Sequence, residues 1–274
     1  MNPDESETTM APSPTGASRL YPIIGDPIKY VESPVWLTKT FADRGHDGIC
    51  VPMQVPDDAL DPVMAGLTAT GNIDGILVTM PHKHTAFAHC ATSSDRARLL
   101  EVVSVIRRSP DGSWHGDMLD GLAFVKAQQD RGATIDGARA LLVGAGGAGS
   151  AIAVALLEAG VKELVVHDKD EDRASGLIEV LDGFGTGQAT AGPGDPTGFD
   201  LVFNATPLGM ADSDPLPIDP SLLDASMFVG DVIAGHGTTP FIQAARDTGC
   251  RTATGSDMVE AVQALMADFM LDQN

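Results

Sequence analysis

Short apolar runs alternate with amphipathic segments of helical length along most of the chain. Up to residue 116 the runs predict strands at 20–25, 48–53 and 73–80, and the longer segments predict helices at 33–44, 57–70 and 81–88. Two further runs, 102–107 and 113–116, flank the turn Ser109-Pro110-Asp111-Gly112 and predict a hairpin. This alternation is typical of βαβ units built on a mostly parallel sheet.

A second series of the same kind begins with a predicted helix over 121–131. The expected elements that follow are strands at 138–143, 163–167, 200–204, 227–232 and 251–253 and helices at 148–158 and 171–181. The Gly-, Pro- and Thr-rich stretch 183–198 predicts a surface connection. Residues 256–271 carry apolar side chains at helical spacing and predict a last helix that packs back on the first part of the chain. The sequence therefore predicts an α/β protein with two domains.

The composition is that of a globular protein with a strongly acidic balance. Apolar residues make up 43% of the 274 residues and charged residues 20%, which is ordinary for packed domains. The 38 Asp and Glu residues outnumber the 17 Lys and Arg residues and give a net charge of -21. Because this charge repels polyanions, we expect neither nucleic acid nor an acidic membrane as a partner.

Neither a membrane span nor a disulfide framework is expected. No apolar stretch approaches the roughly 20 residues that cross a bilayer. Residues 1–18 lack the apolar run of a signal peptide and predict a disordered tail. Cys50, Cys90 and Cys250 are odd in number and widely spaced, which favours a reducing, cytoplasmic location. The histidines and the cysteine of segment 82–90 have no recognised ligand spacing, so we expect no metal site.

A glycine-rich turn, Gly144-Ala145-Gly146-Gly147-Ala148-Gly149, follows the predicted strand 138–143 and opens the next helix. In this context the pattern G-x-G-x-x-G indicates a dinucleotide site. Gly144 permits the tight turn, Gly146 lets the backbone approach a pyrophosphate, and Gly149 lets the helix pack closely against the strand. The helix N-terminus adds N–H groups and a positive dipole end. The alternative is that the glycines serve only helix–strand packing.

Asp168 follows the next predicted strand, 168 − 149 = 19 residues after the last glycine of the turn. A carboxylate at this position accepts hydrogen bonds from the adenosine ribose and repels a 2′-phosphate. We therefore predict NAD as the cofactor. The adjacent Lys169 and the nearby Arg173 could hold a phosphate, so NADP is the alternative.

Several short motifs occur together in an order found in one known family. They are Gly25-Asp26-Pro27-Ile28, Ser33-Pro34, Val78-Thr79-Met80-Pro81-His82-Lys83, Gly116 with Asp120-Gly121, the glycine turn, Asn204-Ala205-Thr206-Pro207-Leu208-Gly209-Met210 and Thr239-Pro240-Phe241. In this order they resemble the shikimate dehydrogenase family, over nearly all of the chain after residue 19. The segment 168–174 is similar to that of NAD-using quinate/shikimate dehydrogenases, whereas other members place Asn-Arg-Thr there, which favours NADP.

The resemblance implies a division of labour between the two domains. It implies an N-terminal α/β substrate-binding domain at 19–119, completed by the C-terminal helix 256–274, and a C-terminal Rossmann-type dinucleotide-binding domain at 120–255. The implied cofactor-binding residues are Gly144, Gly146, Gly147, Ala148, Gly149, Asp168, Lys169, Arg173, Asn204, Ala205, Thr206, Pro207 and Met210.

Lys83 and Asp120 fall on the family's catalytic lysine and aspartate. Oxidising a secondary alcohol requires removal of its hydroxyl proton while a hydride leaves its carbon. The resemblance therefore implies that Lys83 is the acid/base and that Asp120 orients it and bonds the substrate hydroxyl. From the residues alone, Lys83 could equally be a solvated surface lysine and Asp120 a helix N-cap.

The implied substrate-binding residues are Ser33, Thr79, Ser104 and Gln263. Elsewhere the pocket departs from the family's pattern: Val31 stands for a serine, Leu77 for an asparagine, Met118-Leu119 for Asn-Thr, Ala234 for a tyrosine and Val262 for a glutamine, one residue before Gln263. In shikimate-binding members this serine and this tyrosine help hold the substrate carboxylate. Each missing residue therefore removes a charge-assisted hydrogen bond worth roughly 1.5 to 3 kcal/mol. Either other donors replace them, or the substrate is a less polar ring alcohol.

We therefore predict an NAD(P)-dependent dehydrogenase that moves a hydride reversibly between a ring secondary alcohol and the nicotinamide. Its partner would be a small-molecule ring alcohol or ketone, and its state a monomer or homodimer. One alternative is a non-catalytic dinucleotide or small-molecule binding protein of the same fold, against which the retention of both Lys83 and Asp120 argues. The other is a dehydrogenase for a different, less polar alcohol.

Overall fold

The structure, a computed structural model, describes residues 14–29, 31–211, 213–235 and 237–271. The chain forms two compact units. Unit 1 comprises the described residues up to Thr92, Val105–Gly116 and the chain end from Ala267, and unit 2 comprises Ser93–Ser104 and Asp117–Met266. Among the described residues, no helix combines the length and the apolar character needed to cross a membrane.

The elements follow the alternation seen in the sequence. The earlier ones are β1 (Arg19–Gly25), α1 (Ser33–Asp43), β2 (Gly48–Gln54), α2 (Leu60–Ala69), β3 (Gly75–Val78), α3 (Lys83–Phe87), β4 (Thr92–Ser93), α4 (Asp95–Leu100), β5 (Val105–Arg108) and β6 (Trp114–Asp117). The later ones are α5 (Asp120–Asp130), β7 (Arg139–Val143), α6 (Gly147–Glu158), β8 (Glu163–His167), α7 (Glu171–Leu181), β9 (Gln188–Ala191), β10 (Leu201–Asn204), β11 (Phe228–Asp231), α8 (Pro240–Thr248), β12 (Arg251–Ala253) and α9 (Gly255–Met270).

The sheet of the first half has the strand order β2-β1-β3-β5-β6-β4. Strand β1 runs parallel to β2 and β3, whereas β5 runs antiparallel to β3, so this sheet is mixed. Phe41 of α1 is buried against the sheet, and its ring centroid lies 4.4 Å from that of Tyr21 in β1. The carboxyl ends of β1 and β3 lead directly to the Gly25 and Thr79 motifs.

The sheet of unit 2 has the order β12-β11-β10-β7-β8-β9, and its neighbouring strands run parallel. Helix α6 is alanine-rich because it is buried along nearly its whole length. Strand β7 has β8 on one side and β10 on the other, so the strand order reverses there. At such a switch point the segments that follow the strands leave a crevice.

The α/β fold class is confirmed, and several local expectations need correction. The pair Ser33-Pro34 predicts Ser33 as the N-cap of α1, but Glu32 takes that position and no side chain caps the helix. The predicted connection 183–198 contains the edge strand β9, and helices α4 and α8 were not predicted.

The two chain ends differ in how much of them the structure covers. Residues 1–13 of the predicted tail and 272–274 of the predicted last helix lie outside the described residues. Residues 14–18 turn back toward the sheet, where the Ser18 hydroxyl donates a hydrogen bond to Asp47 (2.8 Å). The functional domain boundaries stay predictions.

Candidate functional site

The glycine turn joins β7 to α6 with a backbone that only glycine allows at two positions. Gly144 has a φ of +107°, in the left-handed half of the map where side chains are disfavoured. A Cβ on Gly149 would lie 1.9 Å from the Gly144 carbonyl oxygen, so helix and turn pack without room for a methyl group. A Cβ on Gly146 or Gly147 would meet nothing within 4 Å. One side of the turn is therefore closely packed and the other is open.

Asp168 joins the end of β8 to this turn. Its Oδ2 accepts a hydrogen bond from the Ala145 N–H (2.8 Å), and its Oδ1 accepts one from the Asp170 N–H (3.0 Å). Burial by itself raises the pKa of Asp168, but these two N–H groups and the Arg173 guanidinium hold that pKa below its ordinary value. The carboxylate is therefore charged at neutral pH, and a guanidinium nitrogen of Arg173 lies 3.9 Å from it.

The segment after β10 is shaped by the buried side chain of Asn204. Its Oδ1 accepts hydrogen bonds from the N–H and the hydroxyl of Thr206 (3.0 and 2.6 Å). Its Nδ2 donates to the Leu208 carbonyl (3.3 Å) and to Asp231 Oδ1 (3.1 Å). Three of these four hydrogen bonds hold the turn 204–208 and the fourth reaches Asp231, so the whole polar capacity of the amide is used within the protein and Asn204 supports the crevice from behind.

Asp231 at the end of β11 completes this network. Besides Asn204, its carboxylate accepts hydrogen bonds from the Ile233 N–H (3.1 Å) and the Thr239 hydroxyl (2.7 Å). Burial raises the pKa of Asp231, and the hydrogen bonds that it accepts offset only part of this rise. Thr239 also caps α8 by accepting from the Ile242 N–H. The carboxyl ends of β10 and β11 and the start of α8 are thus fixed to one another.

Together these segments enclose a pocket of about 260 Å³ in unit 2. The sequence-predicted cofactor residues that line it are Gly144, Gly146, Asp168, Lys169, Arg173, Ala205, Thr206 and Pro207. The lining residues outside that set are Val143, His167, Leu208 and Pro217. Of the remaining predicted residues, Gly147, Ala148 and Gly149 form the first turn of α6, Asn204 lies behind the pocket wall, and Met210 is exposed.

The pocket offers donors that suit the pyrophosphate of a dinucleotide. The N–H groups of Gly147, Ala148 and Gly149 belong to the first turn of α6, where a helix has no intrahelical acceptors for them. They adjoin the open side of the glycine turn, where a pyrophosphate can approach the backbone. Asp168 lies at the other predicted contact, that with the adenosine ribose.

Lys83 is the first residue of α3 in unit 1 and is partly buried. The preceding His82 is fully buried, and its Nε2 lies 2.7 Å from the Val55 carbonyl oxygen. The His82 carbonyl accepts from the Ala86 N–H (2.8 Å), and the Thr79 N–H donates to the Ile24 carbonyl (3.0 Å). The start of α3 is therefore anchored to the rest of unit 1 directly beside Lys83.

The structure distributes the predicted catalytic and substrate-binding residues over both units. Lys83, Thr79 and Ser33 belong to unit 1, whereas Asp120, Ser104 and Gln263 belong to unit 2. Asp120 is the first residue of α5, whose N-cap position is taken by Leu119, so its reading as a side-chain N-cap is wrong. Ser104 is buried, and its hydroxyl accepts a hydrogen bond from the Leu119 N–H (2.9 Å). That hydroxyl is therefore engaged with the segment before Asp120.

The positions that depart from the family pattern have different surroundings. Leu77 and Met118 are buried in the core, Ala234 is exposed, and Val31 and Val262 are partly buried. At Leu77 and Met118 the replaced polar residues have thus become apolar packing residues. Among the described residues, no cluster of three or more His, Cys, Asp or Glu side chains is arranged to hold a metal ion.

Sequence reasoning found the pocket through its glycines and Asp168 but missed several of its supports. Pro217 lies in a segment without a motif, and no sequence signal points to it. Asp231 and Thr239 were within reach, since Asp231 lies in the predicted strand 227–232 and Thr239 belongs to a family motif. The contact of Asp231 with Asn204 spans 27 residues of chain and is visible only in the fold.

Comparison with known proteins gives matches over nearly the whole chain. A family model described as the shikimate dehydrogenase substrate binding domain matches residues 23–106. A protein of Rubrobacter xylanophilus named shikimate dehydrogenase (NADP(+)) is 36% identical over 253 residues, which cover 89% of this chain and 87% of that protein.

Solved structures agree with this match at the level of the fold. Shikimate 5-dehydrogenase of Listeria monocytogenes, in complex with shikimate and NAD, is 25% identical with a TM-score of 0.89, covering 96% of this chain and 95% of that one. The ligand-free 5-ketofructose reductase of a Gluconobacter species is 26% identical with a TM-score of 0.86, covering 94% of both chains.

Proposed function

Because the chain belongs to the shikimate dehydrogenase family, we propose that it is a nicotinamide-dependent dehydrogenase that interconverts a shikimate-type ring alcohol and its ketone. The resemblance read from the motifs is confirmed. The observation that carries the proposal is the dinucleotide pocket of unit 2, with the glycine turn on one side and the charged Asp168 on the other.

We assign NAD as the preferred cofactor on the basis of Asp168. Its carboxylate is ionised and lines the pocket where the adenosine ribose is expected. A ribose donates hydrogen bonds to such a group, whereas a 2′-phosphate meets a like charge. The R. xylanophilus relative is named for NADP(+), and Lys169 and Arg173 also line this pocket. The expected preference for NAD therefore depends on one carboxylate next to two cations.

The family motifs assign the proton transfer to Lys83. When bound, the nicotinamide accepts or supplies the hydride. Lys83 Nζ takes the hydroxyl proton as the alcohol is oxidised and returns it in the reverse direction. The same motifs assign to Asp120 the orientation of Lys83 and a hydrogen bond with this hydroxyl before its proton turns toward Lys83 Nζ. Anchoring of the α3 start by the buried His82 keeps Lys83 in place while it does so.

For the substrate we propose a ring alcohol recognised through Ser33, Thr79 and Gln263. Thr79 belongs to the segment that leads into α3, and Ser33 begins α1. Leu77 and Met118 are apolar and part of the core, so neither can donate a hydrogen bond to a carboxylate. We expect shikimate to bind with fewer polar contacts than in relatives that retain the full set.

The cellular setting follows from the composition. The three cysteines are free thiols, two of them buried, which suits the reducing cytoplasm that we propose as the location. We still expect the protein to be a monomer or a homodimer and to bind no nucleic acid.

The assignment of Lys83 can be tested by replacing it with alanine. We expect Lys83→Ala to lower kcat for shikimate oxidation by about 100-fold or more, because the acid/base is lost. The dissociation constant for NAD should stay within about twofold, since the pocket residues belong to unit 2. The measurements are the absorbance of reduced cofactor in steady state and a binding titration with NAD.

Lys39→Ala is the matched control for this experiment. Lys39 is an exposed lysine of α1 in the same unit, paired with Asp43, and its loss should leave kcat within about twofold. An unchanged kcat in the Lys83 variant would remove the basis for the proposed chemistry.

A further inference from the structure

The three residues before Asp120 have their backbone held by an array of hydrogen bonds. The Asp117 carbonyl accepts from the Ser104 N–H (2.8 Å), and the Leu119 N–H donates to the Ser104 hydroxyl (2.9 Å). The Met118 N–H donates to the Asp117 carboxylate (2.6 Å), and the Met118 carbonyl accepts from Arg96 Nε (3.2 Å). This short segment, which we call the 117–119 clamp, is fixed residue by residue up to the start of α5.

Arg96 bonds two of the three residues of the 117–119 clamp. Its Nη2 is 2.5 Å from Asp117 Oδ2, while its Nε bonds the Met118 carbonyl, so one guanidinium holds two successive residues. The Asp117 side chain is only 8% exposed and that of Arg96 20%. The other oxygen of Asp117 accepts from the Ser94 hydroxyl, which also caps α4. Arg96 and Asp117 therefore form a largely desolvated pair that ties α4 to the residue preceding Met118.

Helix α5 is fixed on its other side by α6. A Cβ on Gly121 would lie 2.0 Å from the Ala151 carbonyl oxygen, so the backbone of α5 touches that of α6 one residue after Asp120. Arg96 also reaches Glu158 at the end of α6 (3.4 Å). The first turn of α5 thus has little freedom to shift, provided that the clamp before it is intact.

The departures from the family pattern give the clamp its importance. The family's Asn-Thr pair before the catalytic aspartate is Met118-Leu119 here. Both side chains are buried, so neither offers a polar group to a substrate. The conformation of this segment depends instead on apolar packing and on the contacts of Arg96, Asp117 and Ser104.

We propose that Arg96, acting through Asp117, is a positioning residue that holds Asp120 in its reactive placement. The inference rests on the proposed function, in which Asp120 bonds the substrate hydroxyl. Arg96 contacts Asp117, Met118 and Glu158, none of which lines the dinucleotide pocket. Its effect on turnover is exerted through the backbone of residues 117–119.

The test replaces Arg96 with methionine, which keeps an unbranched apolar stem and removes the charge and the hydrogen-bond donors. We expect Arg96→Met to lower kcat with shikimate by about 10- to 100-fold, because a small misplacement of a reacting group has an effect of this size. The KM and dissociation constant for NAD should stay within about twofold, since the dinucleotide pocket does not depend on Arg96. Steady-state kinetics give kcat and KM, a titration gives the dissociation constant for NAD, and thermal unfolding shows whether the variant is folded.

Arg98→Met supplies the matched control. Arg98 lies on the same helix α4, its side chain is 64% exposed, and it pairs with Asp95, so its loss should change kcat by less than about twofold. Arg96→Lys keeps the charge beside Asp117 without the two-pronged geometry and should recover part of kcat. If Arg96→Met does not fold, Asp117→Asn tests the same pair while keeping an acceptor for the Met118 N–H, and we expect about a 10-fold loss of kcat.

The outcomes separate this inference from the proposed function. If the unchanged protein oxidises shikimate and folded Arg96→Met does so with a kcat within twofold, the positioning role is overturned and the proposed function is not. Equal losses of kcat and of NAD affinity also overturn it, because they indicate a general structural role. Absence of turnover by the unchanged protein overturns the proposed function and the inference together.

Discussion

Asp168 combines a structural and a selective role in one carboxylate. It holds the glycine turn through the Ala145 N–H and the segment after β8 through the Asp170 N–H. These contacts outweigh the effect of burial and keep the pKa of Asp168 below its ordinary value. The charge that repels a 2′-phosphate is therefore present throughout the neutral range, and the preference for NAD should not vary with pH there.

The charge of Asp168 can be removed with little change in shape. Asp168→Asn retains an oxygen that can accept from the Ala145 N–H but carries no charge. We expect the ratio of kcat/KM with NAD to kcat/KM with NADP to fall by about 10-fold or more, mainly because kcat/KM with NADP rises when the repulsion of the 2′-phosphate is removed. A factor of ten corresponds to about 1.4 kcal/mol. The measurement is steady-state kinetics with each cofactor at fixed shikimate.

Asp172→Asn is the control for this change. Asp172 is an exposed carboxylate in the first turn of α7 outside the pocket lining, so the ratio should stay within about twofold. Preference for NADP in the unchanged protein would show that Lys169 and Arg173 dominate over Asp168.

Residues with a local signal were predictable, and residues whose partners are distant in sequence were not. Asp168 was found because the spacing from the glycine turn is set by one helix and one strand. The contact of Arg96 with Asp117 bridges 21 residues, and that of Asn204 with Asp231 bridges 27. Nothing in the sequence pattern specifies such pairs, because they depend on which elements become neighbours.

The segment made of β7, the glycine turn and α6 depends on a closely packed junction. Gly149 sits in the first turn of α6 against the Gly144 carbonyl, where a Cβ would lie 1.9 Å from the oxygen. This contact brings the N-terminus of α6 to the end of β7. The open side of the turn then faces the pocket, and its donors keep their direction.

Gly149→Ala should therefore disturb both stability and cofactor binding. We expect a loss of about 1 to 3 kcal/mol in the free energy of unfolding, typical of overpacking. We also expect NAD to bind about 10-fold more weakly or worse, because the turn must move to admit the methyl group. Denaturant unfolding and NAD titration measure the two effects.

Gly176→Ala is the matched control on helix α7. A Cβ there meets nothing within 4 Å, so the substitution should raise the free energy of unfolding by about 0.5 to 1 kcal/mol and leave NAD binding unchanged. Equal NAD affinity in Gly149→Ala and the unchanged protein would contradict the role assigned to the junction.

At the level of elements, most segments with a clear apolar pattern were predictable, and segments without one were not. Strands β7 and β8 and helix α7 occupy the predicted residues within one position. Helix α4 has six residues, of which only Ala97 is buried, so it lacks an apolar stripe. Strand β9 is mostly exposed at the sheet edge and is held by its pairing with β8. Helix α8 did carry a readable signal, Thr239 followed by Pro240 at its start.

For the whole molecule, the division into two units separates the parts of the proposed chemistry. The dinucleotide pocket and Asp120 belong to unit 2, and Lys83 belongs to unit 1. The motif order predicted the family from the sequence because each motif is short and local. The substrate could not be derived in the same way, since Leu77, Met118 and Ala234 replace the residues that would identify it.

Oxidation of shikimate with NAD, followed by the absorbance of the reduced cofactor, tests the central claim most directly. Quinate and a cyclic alcohol without a carboxylate serve as competing substrates under the same conditions. We expect reduced cofactor to form with shikimate, at a higher kcat/KM than with the simple alcohol. Tight binding of NAD without reduction by any of the three alcohols, or reduction by the simple alcohol alone, would contradict it.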